Sequence, residues 1–419
     1  MKKVYPLLIW SLISAAFIGP GTVTTSLAAG AGYRFSLLWA LVFSIVGCFV
    51  LQEGAARITI SSGKPIGKAI SQMFANKPVV PILIALAVVT GCIAYEAGNL
   101  RGAKIGLELL DLPSYLFYLS LLFAGILLLT GQIKFLTMLL SLLVAVMGIV
   151  FLIVAFQIPW SWLEIAAGVV PIIPNEGILL VSGLIGTTIV PYNLFLGSGI
   201  SSVAGQNLKF MRIGLLLAIG VGGLITIAIL VVGTLLTGNW DYFAVQSLLK
   251  NKVGSFAANF FAIGLFAAGL TSAITAPLAA QFTLQSLFPN QNTINRYSGI
   301  IILLIGFVFQ FFAVHPIPLI ITAQAFNGAL LPFSAISLML ILNDKKIMPV
   351  KNLNQWYANV FGFLVTGATI YLGILAIIKI PSTMLNWTPE GLTLYLLILS
   401  IVIVIFLIGY VIYTRKFKC

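Results

Sequence analysis

The sequence predicts an all-α integral membrane protein of about twelve spans, and three observations predict it. Of 419 residues, 60% are hydrophobic and only 7% charged, too little polar surface to cover a water-soluble globule of this size. Apolar stretches follow one another at the roughly 20 residues that a helix needs to cross hydrocarbon. Two of these stretches carry helix-breaking runs: Gly19-Pro20-Gly21-Thr22-Val23-Thr24-Thr25 in the first and Gly186-Thr187-Thr188-Ile189-Val190-Pro191-Tyr192-Asn193 in the sixth.

Proline removes a backbone donor and clashes one turn back, and each glycine costs about 1 kcal/mol relative to alanine in a helix. A helix broken inside lipid is tolerated only where its freed amides and carbonyls face protein or a water-filled cavity. Paired interruptions at corresponding places in two halves of a chain point to the binding site of a secondary transporter.

In chain order the predicted spans are 5–30, 36–58, 79–107, 115–129, 135–156, 177–202, 213–237, 256–288, 297–314, 318–342, 357–378 and 392–413. Between them lie turn-forming stretches such as Ser61-Ser62-Gly63-Lys64-Pro65 and Pro289-Asn290-Gln291-Asn292. The breaks fall in spans one and six. That register divides the chain into a five-plus-five inverted repeat, 5–156 and 177–342, with two additional helices over 357–413 in one transmembrane domain. Lys2, Lys3, the apolar stretch 5–18 and the small residues Leu27 to Gly30 imitate a secretory signal. Because the broken run belongs to the same segment, it is expected to stay as a span.

Charge gives orientation. Sixteen of the 22 basic residues, from Lys2 and Lys3 through Arg57, Arg212, Lys345, Lys346 and Lys351 to Lys418, fall on one side of the twelve spans. Only Arg34, Lys250, Lys252 and Lys379 fall on the other, while Arg101 and Lys104 lie within span three. By the positive-inside rule both termini are expected in the cytoplasm, in what would be the plasma (inner) membrane of a prokaryote. The net charge of +13 is dispersed, without the concentrated basic surface of a nucleic-acid binder. Nine acidic residues and the single His315 form no acid-base or nucleophile cluster, so the chain is not read as an enzyme and no cofactor is expected. Cys48, Cys92 and Cys419 have neither metal-ligand spacing nor a disulfide pattern.

Several segments, in order, resemble the Nramp (natural resistance-associated macrophage protein) divalent-metal transporters. Gly19-Pro20-Gly21-Thr22 resembles that family's Asp-Pro-Gly-Asn, and Thr187-Thr188-Ile189-Val190-Pro191-Tyr192 its Ala-Thr-Ile-Met-Pro-His. Ala268-Gly269-Leu270-Thr271-Ser272-Ala273-Ile274-Thr275 resembles Ala-Gly-Gln-Ser-Ser-Thr-Ile-Thr; Gln324 and Leu331-Pro332-Phe333 match span ten. The resemblance implies a LeuT-type fold, an alternating-access transporter or symporter, and a midplane site between broken helices 1 and 6.

It also implies that the metal ligands have been replaced. The family's Asp is Gly19 here, its Asn is Thr22, its Ala is Thr187 and its soft Met is Val190, so no confident metal ligand remains. Of the third-span Asp and Glu, the first is kept as Glu96 and the second neutralised as Asn99; the histidine after the sixth-span proline is Tyr192. Hydroxyl and carbonyl oxygens suit Na⁺, a hydrated Mg²⁺ or an organic solute better than a soft transition metal.

Free amides at the restart of span one, placed near Thr22, accommodate a carboxylate. The sequence therefore leans to a small anionic or zwitterionic organic solute held by Gly19, Thr22, Thr187, Thr188, Val190, Tyr192, Asn193 and Gln324, with Glu96 and Asn99 coupling to H⁺ or Na⁺. The alternatives are transport of a divalent cation (Mn, Fe or Mg), possibly proton-coupled as in the family, a channel, and a membrane sensor that retains the fold without transport. The expected partners are the solute or ion and the lipid bilayer; oligomeric state is not legible.

Overall fold

The computed structural model describes residues 18–131, 134–174, 176–203, 207–312, 315–385 and 392–417. These form sixteen helices: α1 (Pro20–Tyr33), α2 (Leu38–Ser62), α3 (Ile66–Met73), α4 (Val79–Glu108), α5 (Tyr115–Thr130), α6 (Lys134–Phe156), α7 (Trp162–Gly168), α8 (Ile178–Thr188), α9 (Pro191–Val203), α10 (Leu208–Gly233), α11 (Tyr242–Val253), α12 (Ser255–Leu287), α13 (Asn292–Val308), α14 (Pro316–Ile341), α15 (Trp356–Leu385) and α16 (Leu392–Phe417). Among the described residues nine segments are long and apolar enough to cross a membrane, α8 and α9 counting together as one. Two shorter apolar helices, Tyr115–Thr130 and Asn295–Phe311, and the half-length α1 occupy the remaining predicted positions.

Each boundary has a local cause. Gly63 and Gly131 end α2 and α5 in the left-handed region, φ 69° and 71°, which glycine enters without steric cost. Asn207 and Asp241 cap α10 and α11 by accepting from the Lys209 and Ala244 amides at 3.0 and 2.7 Å. Pro316 opens α14 at the first helical position, where its missing donor costs nothing.

The pair α8–α9 lies at the centre, with 94% of its apolar window buried, whereas α16 is peripheral at 17%. Around the centre α4 packs along α12, α14 packs on α8, and α10 packs on α1 and α2.

The helix ends at the two predicted breaks have the form their residues dictate. Before α1, Gly19 is extended (φ −98°, ψ 177°) and the helix begins at Pro20, not near Thr22 as expected; proline's fixed φ and lack of a donor place it at the first position. The portion of span one before residue 18 lies outside the described residues. In span six the helix stops at Thr188, Ile189 turns out of helical geometry (φ −98°, ψ 83°), and Pro191 begins α9.

Other expectations are corrected. The ninth span ends at Val308 and continues as a 3₁₀ turn over Phe309–Phe311, short of the predicted 314. The connections also hold the short helices α3, α7 and α11, which a search for 20-residue apolar runs passes over. In α3 one face, with Ile66, Ala69 and Ile70, is buried, so these helices are set by amphipathic docking.

Candidate functional site

The end of α8 and the start of α1 meet, and both expose main-chain groups. The hydroxyls of Thr22 and Thr187 lie 3.1 Å apart, which joins the two breaks directly. In α4, the Tyr95 hydroxyl donates toward the last carbonyls of α8, at 3.2 Å from Thr187 O and 3.4 Å from Gly186 O. It thereby satisfies acceptors that the end of α8 would otherwise leave open. The Tyr95 ring meets the Tyr192 ring edge to face, with centroids 5.3 Å apart at 89°. The negative end of α8 and the positive end of α1 point into the same gap.

Three walls supply polar side chains. From α12, the Ser272 hydroxyl lies 3.0 Å from where a side chain on Gly19 would begin. From α4, Asn99 Oδ1 lies 3.9 Å from that point. From α14, the Gln324 side chain lies directly against Gly21 and reaches within 3.9 Å of the corresponding point on Gly98.

Both polar atoms of Asn99, of Gln324 and of Asn193, which sits in the first turn of α9, are buried without a regular hydrogen bond, as are the hydroxyls of Ser182 and Thr275. A buried polar group left unsatisfied costs about 1–3 kcal/mol. Such a concentration calls for a physical reason, and water or a cargo that completes these bonds would supply one.

Glu96 is fully buried one turn from Asn99, and its side chain presses on Gly306 of α13 and not on the break itself. The Asn99 amide is near its carboxylate, without regular hydrogen-bond geometry. An intramembrane acid is costly and marks an ion or proton path more often than not. Lys104 pairs at 3.9 Å with Glu108, so it is not the partner of Glu96.

Some predicted residues turn inward. The Thr188 hydroxyl donates to Leu184 O at 3.0 Å, and Thr25 donates to Gly21 O at 2.8 Å; both spend their proton on their own helices, which leaves the oxygen lone pairs as what Thr188 can offer a cargo. Val190 is buried and its side chain offers no ligand atom. Gly19, Thr22, Thr187, Asn99 and Gln324 are brought together, with Tyr192 joined through Tyr95.

Three residues escaped the sequence reading. Tyr95 precedes Glu96, but an apolar-looking tyrosine in a span gives no signal of which carbonyl it will meet. Ser272 lies in a stretch whose resemblance was recognised, yet its contact with Gly19 depends on the packing of α12. Tyr242, whose hydroxyl is 2.6 Å from Thr24 Oγ1, covers α1 from α11. Among the described residues no group of three or more His, Cys, Asp or Glu could hold a metal ion, and the side chains gathered at the two breaks present neutral oxygens.

A family model, natural resistance-associated macrophage protein-like, matches residues 11–379. Among curated relatives, the divalent metal cation transporter MntH of Staphylococcus haemolyticus (strain JCSC1435) is 28% identical over 384 residues, covering 82% of this chain and 85% of its own. The divalent metal cation transporter MntH of Verminephrobacter eiseniae (strain EF01-2) is 27% identical over 296 residues, 65% of this chain and 66% of that protein. Among solved structures, the Eremococcus coleocola manganese transporter in complex with an aromatic bis-isothiourea substituted compound superposes with a TM-score of 0.72 at 20% identity, over 97% of this chain and 94% of that one. Mhp1, a nucleobase-cation-symport-1 family transporter in a closed conformation with bromovinylhydantoin bound, superposes with a TM-score of 0.56 at 14% identity, over 98% and 93%. At those identities the structural likenesses show the fold, and the fold is of LeuT type.

Proposed function

The chain belongs to the natural resistance-associated macrophage protein-like family, and from that premise we propose that it moves a divalent metal cation across the membrane by alternating access. The observation that carries this reading is the meeting of two helix breaks lined by neutral oxygen donors: the Thr22 and Thr187 hydroxyls 3.1 Å apart, with the unsatisfied amides of Asn99 and Gln324 beside them. The curated relatives are named for divalent metal cations, which favours an ion over the organic solute toward which the sequence leaned. Packing weighs the same way, because Gln324 fills the space against Gly21 where a solute carboxylate would approach the free amides of α1.

The donor set selects among ions. Without carboxylate or thioether, neutral oxygens match a hard cation that sheds its waters reluctantly, so Mg²⁺ is favoured over softer Mn²⁺, and part of the hydration shell would enter with it. Glu96, one turn from Asn99, is the candidate for a coupled proton.

Uptake into proteoliposomes tests the proposal. Saturable Mg²⁺ uptake with counter-flow is expected, lost in a Thr22→Val, Thr187→Val double variant. Binding of a small carboxylic acid without flux of any divalent ion would return the organic reading, and cation binding with no flux would leave a sensor. If Glu96 carries the proton, a pH gradient drives wild-type uptake and leaves Glu96→Gln uptake unchanged.

A further inference from the structure

At the end of the spans opposite α11, a cavity of about 580 Å³ opens between α2, α10, the segment after α14 and the start of α15. Its polar part holds Glu53, Arg57, Arg212 and Lys351. Glu53 is shared, accepting from Arg57 Nε at 3.2 Å through one oxygen and from Arg212 Nε at 2.9 Å through the other. Arg57 further donates to Asn352 O at 3.1 Å and to Asn354 Oδ1, so its guanidinium is fixed in place. Three cations face one carboxylate, leaving two positive charges uncompensated within the cavity.

The rest of the lining is apolar: Val46 and Val50 of α2, Leu342 after α14, and Phe361 of α15. Val46 and Phe361 are about half exposed, at 46% and 53%, on surfaces that in a membrane face acyl chains. Trp356 and Tyr357, exposed and packed edge to face at the head of α15, mark the depth of the lipid headgroups. Gln355 and Tyr357 also bring the free amides and positive end of α15 to the rim.

We propose that this cavity seats an anionic phospholipid of the leaflet that the basic-residue asymmetry assigns to the cytoplasm. Its phosphate lies against Arg212 and Lys351, and an acyl chain runs along Val46, Val50 and Phe361. Charge complementarity names an anion, and the apolar wall at headgroup depth names a lipid over a soluble phosphate; basic pockets between spans on this side of a membrane hold such headgroups. The seat joins α2 and α10 to α15, so an occupied cavity ties together elements far apart in sequence.

The test uses the full chain purified in detergent, with phosphatidylglycerol, phosphatidylcholine or inorganic phosphate added, read by native mass spectrometry and by thermal unfolding. Phosphatidylglycerol is expected to be retained and to raise the melting temperature more than phosphatidylcholine. Retention should weaken about fivefold for each cation removed in Lys351→Gln and in Lys351→Gln with Arg212→Gln, while any binding of phosphatidylcholine stays the same. Lys351 is exposed, so the single variant isolates binding from folding. Equal retention of both lipids, an undiminished preference in the double variant, or stabilisation by inorganic phosphate equal to that by phosphatidylglycerol would each overturn the proposal.

Discussion

Two polar clusters lie within this apolar chain, and they treat their hydrogen-bonding groups in opposite ways. At the end of α2, Glu53, Arg57, Arg212, Asn352 and Asn354 bond to one another; Asn343, Asn354 and Asn359 exchange amide bonds at 2.9 Å, and Arg415 donates to Asn354 O at 2.5 Å. Around the two breaks, Asn99, Asn193 and Gln324 are fully buried, and their amides find no hydrogen-bond partner within the protein. Arg57 and Asn354 of the first cluster are buried as well, so burial alone is not what marks a site. Completion from within the protein is the difference: a network whose members satisfy one another holds helices together, whereas one whose members find no protein partner leaves its groups for water or a cargo to complete.

The largest expected effect comes from opening the closed cluster. Arg57→Leu leaves Glu53 with only Arg212 and strips Asn352 and Asn354 of a donor, and removing one member of a buried pair typically costs about 3–5 kcal/mol. A marked fall in the thermal midpoint in detergent is the outcome to look for, and an unchanged midpoint would break the contrast drawn above.

Next in size is a wedge between α8 and α14. A β-carbon on Gly186 would collide with the Gln324 carbonyl and stand 2.6 Å from the Gly328 amide, so Gly186→Leu overpacks this contact by about 1–3 kcal/mol. In a chain freed of its native cysteines, a Ser182→Cys reporter, buried between the same helices, is expected to react with a water-soluble thiol reagent only when the wedge is present.

The open cluster gives a smaller change of opposite sign. Asn99→Leu exchanges an unsatisfied amide for an apolar group of similar size, so stability should hold or rise by about 1 kcal/mol while transport is lost. A fall in the melting point with transport retained would place Asn99 in a structural network.

Smallest is Tyr242→Phe, which removes a single hydrogen bond to Thr24 worth about 0.5–1.5 kcal/mol. Burial pushes the Tyr242 phenol above its ordinary range. The folded state therefore favours the neutral form, and its advantage is full below the unfolded phenol value of about 10 and declines as the pH rises beyond it. Wild type should lose stability more steeply than Tyr242→Phe above that pH, as measured by unfolding at stepped alkaline pH.

Much of the fold could be read because hydrocarbon enforces a simple rule on sequence. Each span must be apolar for about 20 residues and satisfy its own backbone, so the ends of α2, α4 and α6 fall close to prediction, as does the interruption at Ile189. Gly19, Thr22, Thr187 and Gln324 stood out for the same reason: glycine-proline runs and uncharged polar residues are exceptions in such a chain.

What the order of residues left open was pairing between distant segments. Nothing local to Tyr95 specifies that its hydroxyl closes the end of α8, nothing local to Gln324 that its side chain covers Gly21, and nothing local to Glu53 that it bridges two arginines 155 positions apart, Arg57 and Arg212. Membrane class, span order and the places where helices break are short-range consequences of solvation and backbone chemistry. Which polar groups find partners within the protein, and which do not, is decided only when helices remote in sequence pack together.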